Sequence, residues 1–226
     1  MDSDKELYVS EAEKAYKIIH EAIISGKYAP GTKLSRRKMA DFTNVSVIPV
    51  IEALKQLESE GLVESQPKWG SYVMVPTRKK LDDQYMLRET IECRVAELLA
   101  ERGLMPEQEA LLRSYARKVD DRIPSEKRQA SHYDFHIMLA QFTGYDCFTD
   151  LLKRINLFTI LCRAMNSRRR ESDVPSDWHE RIIDAVVSGD SVRAKEVMRD
   201  HVYDSYKIIL KEIDEFTARY NGGKGE

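Results

Sequence analysis

Four of the five histidines fall in the second half of the 226-residue chain: His132, His136, His179 and His201. His132 and His136 stand four residues apart, so on a helix both rings lie on one face, a turn from each other. That face continues through Leu139 and Ala140 and is apolar. His179 comes one turn before Ile182, Ile183 and Val186, and His201 sits amid Val197, Met198, Val202 and Ile208. The pattern points four imidazoles inward from three helices. Buried neutral imidazoles need polar partners, and the inward faces of these helices offer few. A divalent cation satisfies four ring nitrogens at once, and an i,i+4 pair completed from other helices of a bundle is a recurrent way to build such a site. The alternative is a hydrogen-bonded histidine cluster in the core.

Two arginines add a second chemistry. Arg88 has Tyr85, Glu89 and Glu92 nearby, and Arg163 follows Asn156 and Thr159 by about two turns and one turn. If they face the histidines, Arg88 and Arg163, with Tyr85 and Asn156, form a clamp for a small carboxylate through fork-like hydrogen bonds. The alternative is a pair of surface arginines matched to glutamates. The run Arg168-Arg-Arg170 reads as a solvated helix end.

The elements that position these residues are set by periodicity. Beyond Leu81 the chain reads as helix after helix: 81–102 ended by Gly103, 106–122 opened by Pro106, and 125–143. Helices over 146–170, from Ser176 or Asp177 to Gly189, and from Asp190 or Ser191 to about Tyr220 complete an antiparallel six-helix bundle. The first third differs. A stripe of Ala15, Ile18, Ile19, Ala22 and Ile23 predicts a helix that Gly26 ends. Ser35 can cap a short second helix, 36–42, whose first turn holds Arg36, Arg37 and Lys38. Cations there oppose the helix dipole, so they suit a phosphate partner. Ser46 can cap a third helix with Pro49 in its first turn, burying Val50, Ala53, Leu54 and Leu57 and stopping at Gly61. Two strands, from Leu62-Val63 and over 71–75, flank a turn carrying Lys68, Trp69 and Gly70. Helix, strand, basic turn, strand is the second half of a winged helix-turn-helix. The third helix then presents Ser46, Val47, Ile48, Ile51 and Lys55 to a DNA groove, with the Lys68-Trp69-Gly70 wing beside it.

The predicted fold is therefore mainly α: a leader at 1–9, a winged helix-turn-helix at 10–75, a linker at 76–80, an all-helical domain at 81–221 and a tail at 222–226, with leader and tail disordered. Net charge is only −2, but 33–80 carries nine Lys/Arg against five Asp/Glu, a modest excess that suits a nucleic-acid face. The odd, widely spaced Cys93, Cys147 and Cys162 read as buried reduced thiols. There is no apolar run of membrane-spanning length and no signal peptide, which predicts a soluble cytoplasmic protein with no membrane partner.

Residues 34–65 resemble the winged helix of GntR-type transcriptional regulators, and the bundle resembles the ligand-sensing FCD domain of their FadR branch. The residues that carry the second likeness are L-R-E-T-I-E (87–92), D-F-H (134–136), W-H-E-R-I-I-D-A-V (178–186) and M-R-D-H-V (198–202). The resemblance implies a dimeric, ligand-responsive regulator of operator DNA, not an enzyme, with a metal in the sensor cavity and a small organic acid nearby. It implies ligands at His136, His179 and His201, and places His132 where many members carry Asp. Asp134, on nearly the opposite side of the helix, cannot substitute for it. An all-imidazole set leaves the metal formally +2, which favours Zn or Ni and a strong pull on an anionic effector. The usual pattern also has Arg where Val47 and Ile51 stand, which implies an unusual operator. Three rival readings remain: a regulator for which the metal itself is the signal, a metalloenzyme, and an assembly module whose DNA helix has decayed.

Overall fold

The computed structural model describes residues 9–120, 125–164 and 177–222. The expected leader and tail (apart from Val9 and Gly222), and the run Arg168–Arg170, lie outside the described residues. The chain forms two compact units that part after Pro76, except that 160–164 group with the first.

The first unit opens with α1 (Glu11–Ile24), capped by Ser10, whose hydroxyl accepts the Glu13 N–H at 3.1 Å. Its buried stripe, Ala15, Ile19, Ala22 and Ile23, packs on α3 (Val47–Ser59). α3 turns Val50, Ala53, Leu54 and Leu57 inward, all four at most 4 % exposed, as the spacing predicts. Between them lies α2 (Arg36–Thr43), closed by Asn44 in the left-handed region. Ser35 and Ser46 hold the N-cap positions of α2 and α3, but neither side chain makes a capping hydrogen bond. β2 (Val63–Gln66) and β3 (Gly70–Val73) form the wing, with Glu64 opposite Tyr72 and Gln66 opposite Gly70. A strand that periodicity does not predict, β1 (Lys33–Leu34), pairs with β3 and completes an antiparallel sheet of order β1-β3-β2. Two residues are too few to show alternation.

The second unit is all helical: α4 (Arg78–Arg102), α5 (Pro106–Asp120), α6 (Ser125–Phe142), α7 (Asp146–Ala164), α8 (Trp178–Val187) and α9 (Ser191–Gly222). α4 lies along α9, and α5 packs on α6 and α8. The core gathers Leu99, Leu112, Phe135, Leu139, Leu152 and Ile182 from five helices. α4 begins three residues before the expected Leu81. Thr77 caps it by accepting the Lys80 N–H at 3.3 Å, so most of the stretch that reads as linker is helix. Cys93 and Cys162 are buried as expected, but Cys147 is exposed, its place in the first turn of α7 facing solvent. Among the described residues no helix is long and apolar enough to cross a membrane.

Gly61 joins α3 to the wing with φ +80, and a Cβ there would meet nothing within 4 Å. The cost of Gly61→Ala is thus backbone strain alone. Urea unfolding should show a loss of about 1–2 kcal/mol, smaller than the about 2–5 kcal/mol expected for Leu57→Ala in the core beside it.

Candidate functional site

Three helices of the second unit bring four imidazoles together. α6 supplies His132 and His136 from its inner face, α8 supplies His179 and α9 supplies His201. The four are 7 %, 2 %, 1 % and 2 % exposed, and one ring nitrogen from each lies within 4.8 Å of the others. His201 Nε2 stands 3.0 Å from His136 Nε2, and His179 Nε2 stands 3.0 Å from His132 Nδ1. Phe135 meets His136 and His179 edge-on, and Trp178 packs on His201, so the walls around the nitrogens are apolar.

Two carboxylates, Glu92 buried and Asp120 half-buried, lie against the outer nitrogens of two rings. Glu92 Oε2 on α4 lies 2.7 Å from His136 Nδ1. Its other oxygen accepts Arg88 Nε at 2.6 Å, and Arg88 Nη1 donates to Ser205 Oγ at 3.2 Å. Burial pushes the Glu92 carboxyl up, but the Arg88 charge, with the hydrogen bond from Arg88 and the nearby His136 ring, outweighs it and holds the group at about 2. Glu92 is therefore an anion at neutral pH. On the opposite side Asp120, the last residue of α5, sets Oδ1 2.6 Å from His179 Nδ1. Its Oδ2 accepts the backbone N–H groups of His179 at 3.2 Å and Glu180 at 3.4 Å. Asp177, at the N-cap of α8, makes no side-chain capping bond, so Asp120 caps that helix from another one. Arg113 of α5 adds bonds to Glu180 at 2.6 Å and Asp184 at 3.0 Å, which lock α8 in register. Burial holds His179 below its ordinary pKa, with Asp120 opposing, so its ring is neutral at neutral pH.

A carboxylate at Nδ1 fixes the proton there and leaves Nε2 as a lone pair. Asp120 thus leaves the His179 Nε2 lone pair facing the centre of the cluster, and Glu92 lies on the corresponding outer side of the His136 ring. This donor set fits a divalent ion: four borderline-soft nitrogens, apolar walls and two oriented ligands. Two of the separations are already close to the roughly 3.4 Å edge of a tetrahedral four-nitrogen site. Asp134, the carboxylate nearest in sequence to the family's ligand position, is exposed and takes no part. The expectation that inward polar partners are few is corrected: Glu92 and Asp120 are both there. Arg88 followed by Glu92 one turn later hinted at Glu92. Asp120, 59 residues from His179, gave no local signal.

Of the residues expected to hold a carboxylate, Arg88 is 5 % exposed rather than on the surface, and it is engaged by Glu92 and Ser205. Arg88 and Tyr85 line a small cavity with Thr159, Val202, Ser205 and Tyr206, which as it stands has room for about one water. Burial and a hydrogen bond to Glu89 push the Tyr85 phenol up to about 12, so it is neutral, with its proton donated to Glu89. The side chains of Asn156 and Arg163 lie outside the described residues.

In the first unit, Arg36, Arg37 and Lys38 are exposed in the first turn of α2. With Lys33 and Lys68, Arg36 and Arg37 line an open cleft of about 890 Å³ beside the wing, whose wall contains no carboxylate. Lys68 takes φ +68 and Gly70 φ +103 at the turn, and Trp69 is 67 % exposed. On α3, Ile48 is 71 % and Val47 39 % exposed, Ile51 is half-buried, and Ser46 and Lys55 are exposed.

Comparison with known proteins agrees with both halves. Residues 11–73 match the family described as bacterial regulatory proteins, gntR family, and residues 83–204 match the FCD domain. The HTH-type transcriptional regulator YdhC of Bacillus subtilis strain 168 is 24% identical over 207 residues, 87% of this chain and 91% of that protein. The HTH-type transcriptional repressor RspR of Escherichia coli K12 is 27% identical over 159 residues, 68% of each chain. The crystal structure of a GntR transcriptional regulator from Rhodococcus sp. RHA1 superposes with a TM-score of 0.72 at 23% identity, covering 88% of this chain and 97% of that one. FCD domains often bind a metal ion, and both domains are those of transcriptional regulators rather than enzymes. The chain belongs to the GntR family of bacterial regulatory proteins and is a DNA-binding transcriptional regulator with an FCD domain in its second half.

Proposed function

We propose that this regulator holds a divalent metal, Zn or Ni, on His132, His136, His179 and His201, and responds to a small carboxylate while bound to operator DNA as a dimer in the cytoplasm. The observation that carries the reading is the convergence of four buried imidazoles, two of them backed by carboxylates. When bound, the metal supplies a fixed positive charge that ties α6, α8 and α9 together and attracts an anion. Glu92 and Asp120 hold the protons of His136 and His179 on the outward nitrogens. The ligand set alone leaves the metal at +2, but the two carboxylates behind it and the Arg88 cation bring the buried total to about +1, nearer the usual site than the ligands suggest.

Arg88 is the anchor for the effector, with neutral Tyr85 as a donor beside it once released from Glu89, and Asn156 and Arg163 completing the clamp. Since Glu92 already occupies Arg88, a carboxylate gains that guanidinium only by exchanging with Glu92 or by parting α4 from α9. The closed cavity also favours a second reading, in which the metal itself is the signal. Titrating metal against operator binding in effector-free buffer separates the two. On either reading the coupling is about 1–3 kcal/mol and reciprocal. DNA is held by phosphate contacts from Ser35, Arg36, Arg37, Lys38 and the Lys68-Trp69-Gly70 wing, and by α3 in the major groove through Ser46, Val47, Ile48, Ile51 and Lys55. Half-sites stand about 34 Å, or a multiple of it, apart.

Elemental analysis of the protein as purified should find a single divalent ion per chain, and His136→Ala should lose it. His132→Ala should weaken binding by at least about tenfold; undiminished affinity in that variant would remove His132 from the ligand set.

Metal affinity should be level at neutral pH and fall in acid, by up to about tenfold per unit for each imidazole that must shed a proton, with His179 taking up its proton only below its ordinary value. Stability of the apoprotein should run in the same sense. The unfolded chain takes up a proton near 6.5 that buried His179 refuses, so its contribution is lost as pH drops below that value. Competition with a metal-chelating dye across pH 5–8 checks the first, and urea midpoints the second.

Arg37→Ala should weaken binding to all duplexes alike and reduce the slope of log K against log salt by about 1. A change confined to particular sequences would place Arg37 on base edges instead.

A further inference from the structure

We infer that α3 selects DNA through thymine methyl groups, with Val47, Ile48 and Ile51 as the reading side chains. This rests on the reading of α3 as the groove-facing helix and names the sequence class that it would prefer.

A helix that enters the major groove presents the residues of its N-terminal turns to the base edges. Discrimination there ordinarily comes from Arg, Lys, Asn or Gln in bidentate hydrogen bonds. The first turn of α3 holds Val47, Ile48 and Pro49, with Ile51 a turn on, none of which carries a side-chain donor or acceptor; the nearest charged side chains of the helix are the exposed Glu52 and Lys55, further along. Val50, Ala53, Leu54 and Leu57 are fully used by the core, so Val47 and Ile48 are exposed for no packing reason within their unit. Ile48 is 71 % exposed, the most open of the large apolar side chains among the described residues. Single exposed aliphatics are ordinary on a protein surface. Two in the first helical turn, with a third half-buried a turn later, form a small apolar ridge.

The charge around that ridge specifies its partner. The cleft that includes Val47 is walled by Lys33, Arg36, Arg37 and Lys68 with no carboxylate, and the exposed Trp69 stands at the wing beside it. A protein surface would be selected by apolar contact but has no uniform demand for cations beside it. A duplex supplies both: phosphates for the rim, and on its major-groove floor one apolar group, the thymine C5-methyl.

The test uses the full-length protein and duplexes selected from a randomised pool at low salt. In the recovered sites, each thymine is replaced in turn by deoxyuridine, which removes the methyl and leaves the Watson–Crick pair intact. Binding should weaken about fourfold at each contacted position, the worth of one buried methyl. 5-Methylcytosine in place of a neighbouring cytosine should leave binding equal or tighter. Ile48→Ala, at an exposed position that does not threaten folding, should abolish the thymine–uracil difference at one position and leave the salt slope unchanged. Retention of duplex with no uracil effect anywhere, or an undiminished effect in Ile48→Ala, overturns the inference and leaves DNA binding standing. No retention of any duplex at low salt overturns both.

Discussion

The second unit depends on one constraint: four imidazoles and the Arg88–Glu92 ion pair share a core that excludes water, with Asp120 at its edge, and each must be satisfied there. Arg88 and Glu92 show how costly the arrangement is. Removing a buried ion pair from water costs several kcal/mol per ion, and an apolar pair of the same volume is often as stable or more so, by about 1–4 kcal/mol. Stability alone does not account for a Glu92 that is 2 % exposed. Its position does. The carboxylate bridges the Arg88 cation and the outward nitrogen of His136, so the guanidinium keeps Glu92 ionised and Glu92 keeps the His136 proton on the outer side. Asp120 acts likewise on His179 while also capping α8. The same carboxylate that anchors a helix end therefore also fixes which ring nitrogen faces the centre.

This pairing bears on the substitution that distinguishes the chain from the pattern it resembles. On the proposed reading, His132 in place of Asp takes one negative charge from the ligand set. Behind it, two carboxylates within hydrogen-bonding distance of ring nitrogens return charge to the site at one remove. Charge in that position acts through the imidazole rather than on the metal. It raises ligand basicity without offering an oxygen, and so keeps the donor set all nitrogen. On the proposed reading, the selectivity for a borderline-soft ion and the electrostatic balance of the site are set by different residues.

Much of this was legible from spacing, and the parts that were not share one physical reason. Stripes at three- and four-residue intervals gave α3 and the helices of the bundle because helical burial repeats within the chain. The inward face of His132 and His136 came from the same rule. Spacing could not carry any fact settled between distant segments: β1 paired to β3, Asp120 capping α8, Glu92 turned toward α6, and Arg88 held by Ser205 of α9. The caps show the limit locally too. Ser10 and Thr77 make the bonds their residue types favour, whereas Ser35 and Ser46 occupy N-cap positions without them. The residue type allows a cap, and only the rotamer decides whether it forms.

The DNA-binding unit has the converse economy, cations at the rim and aliphatics at the reading surface, and magnitudes give the consequence for regulation. Phosphate contacts supply affinity with no sequence information. Three aliphatic contacts at a fraction of a methyl to one methyl each come to about 2 kcal/mol, or roughly thirtyfold discrimination per head. A single bidentate arginine gives about 1–3 kcal/mol by itself. One such head is too indiscriminate to find an operator, since specific binding ordinarily exceeds non-specific by about 10³ or more. On the dimer reading, two heads engaged together multiply to roughly 10³ and just reach that threshold. Simultaneous engagement, rather than either head, would then carry the specificity. A sensor that changes the free energy of double engagement by about 1–3 kcal/mol would move occupancy across the threshold, so a weakly reading helix makes the regulator more responsive to its buried cluster, not less.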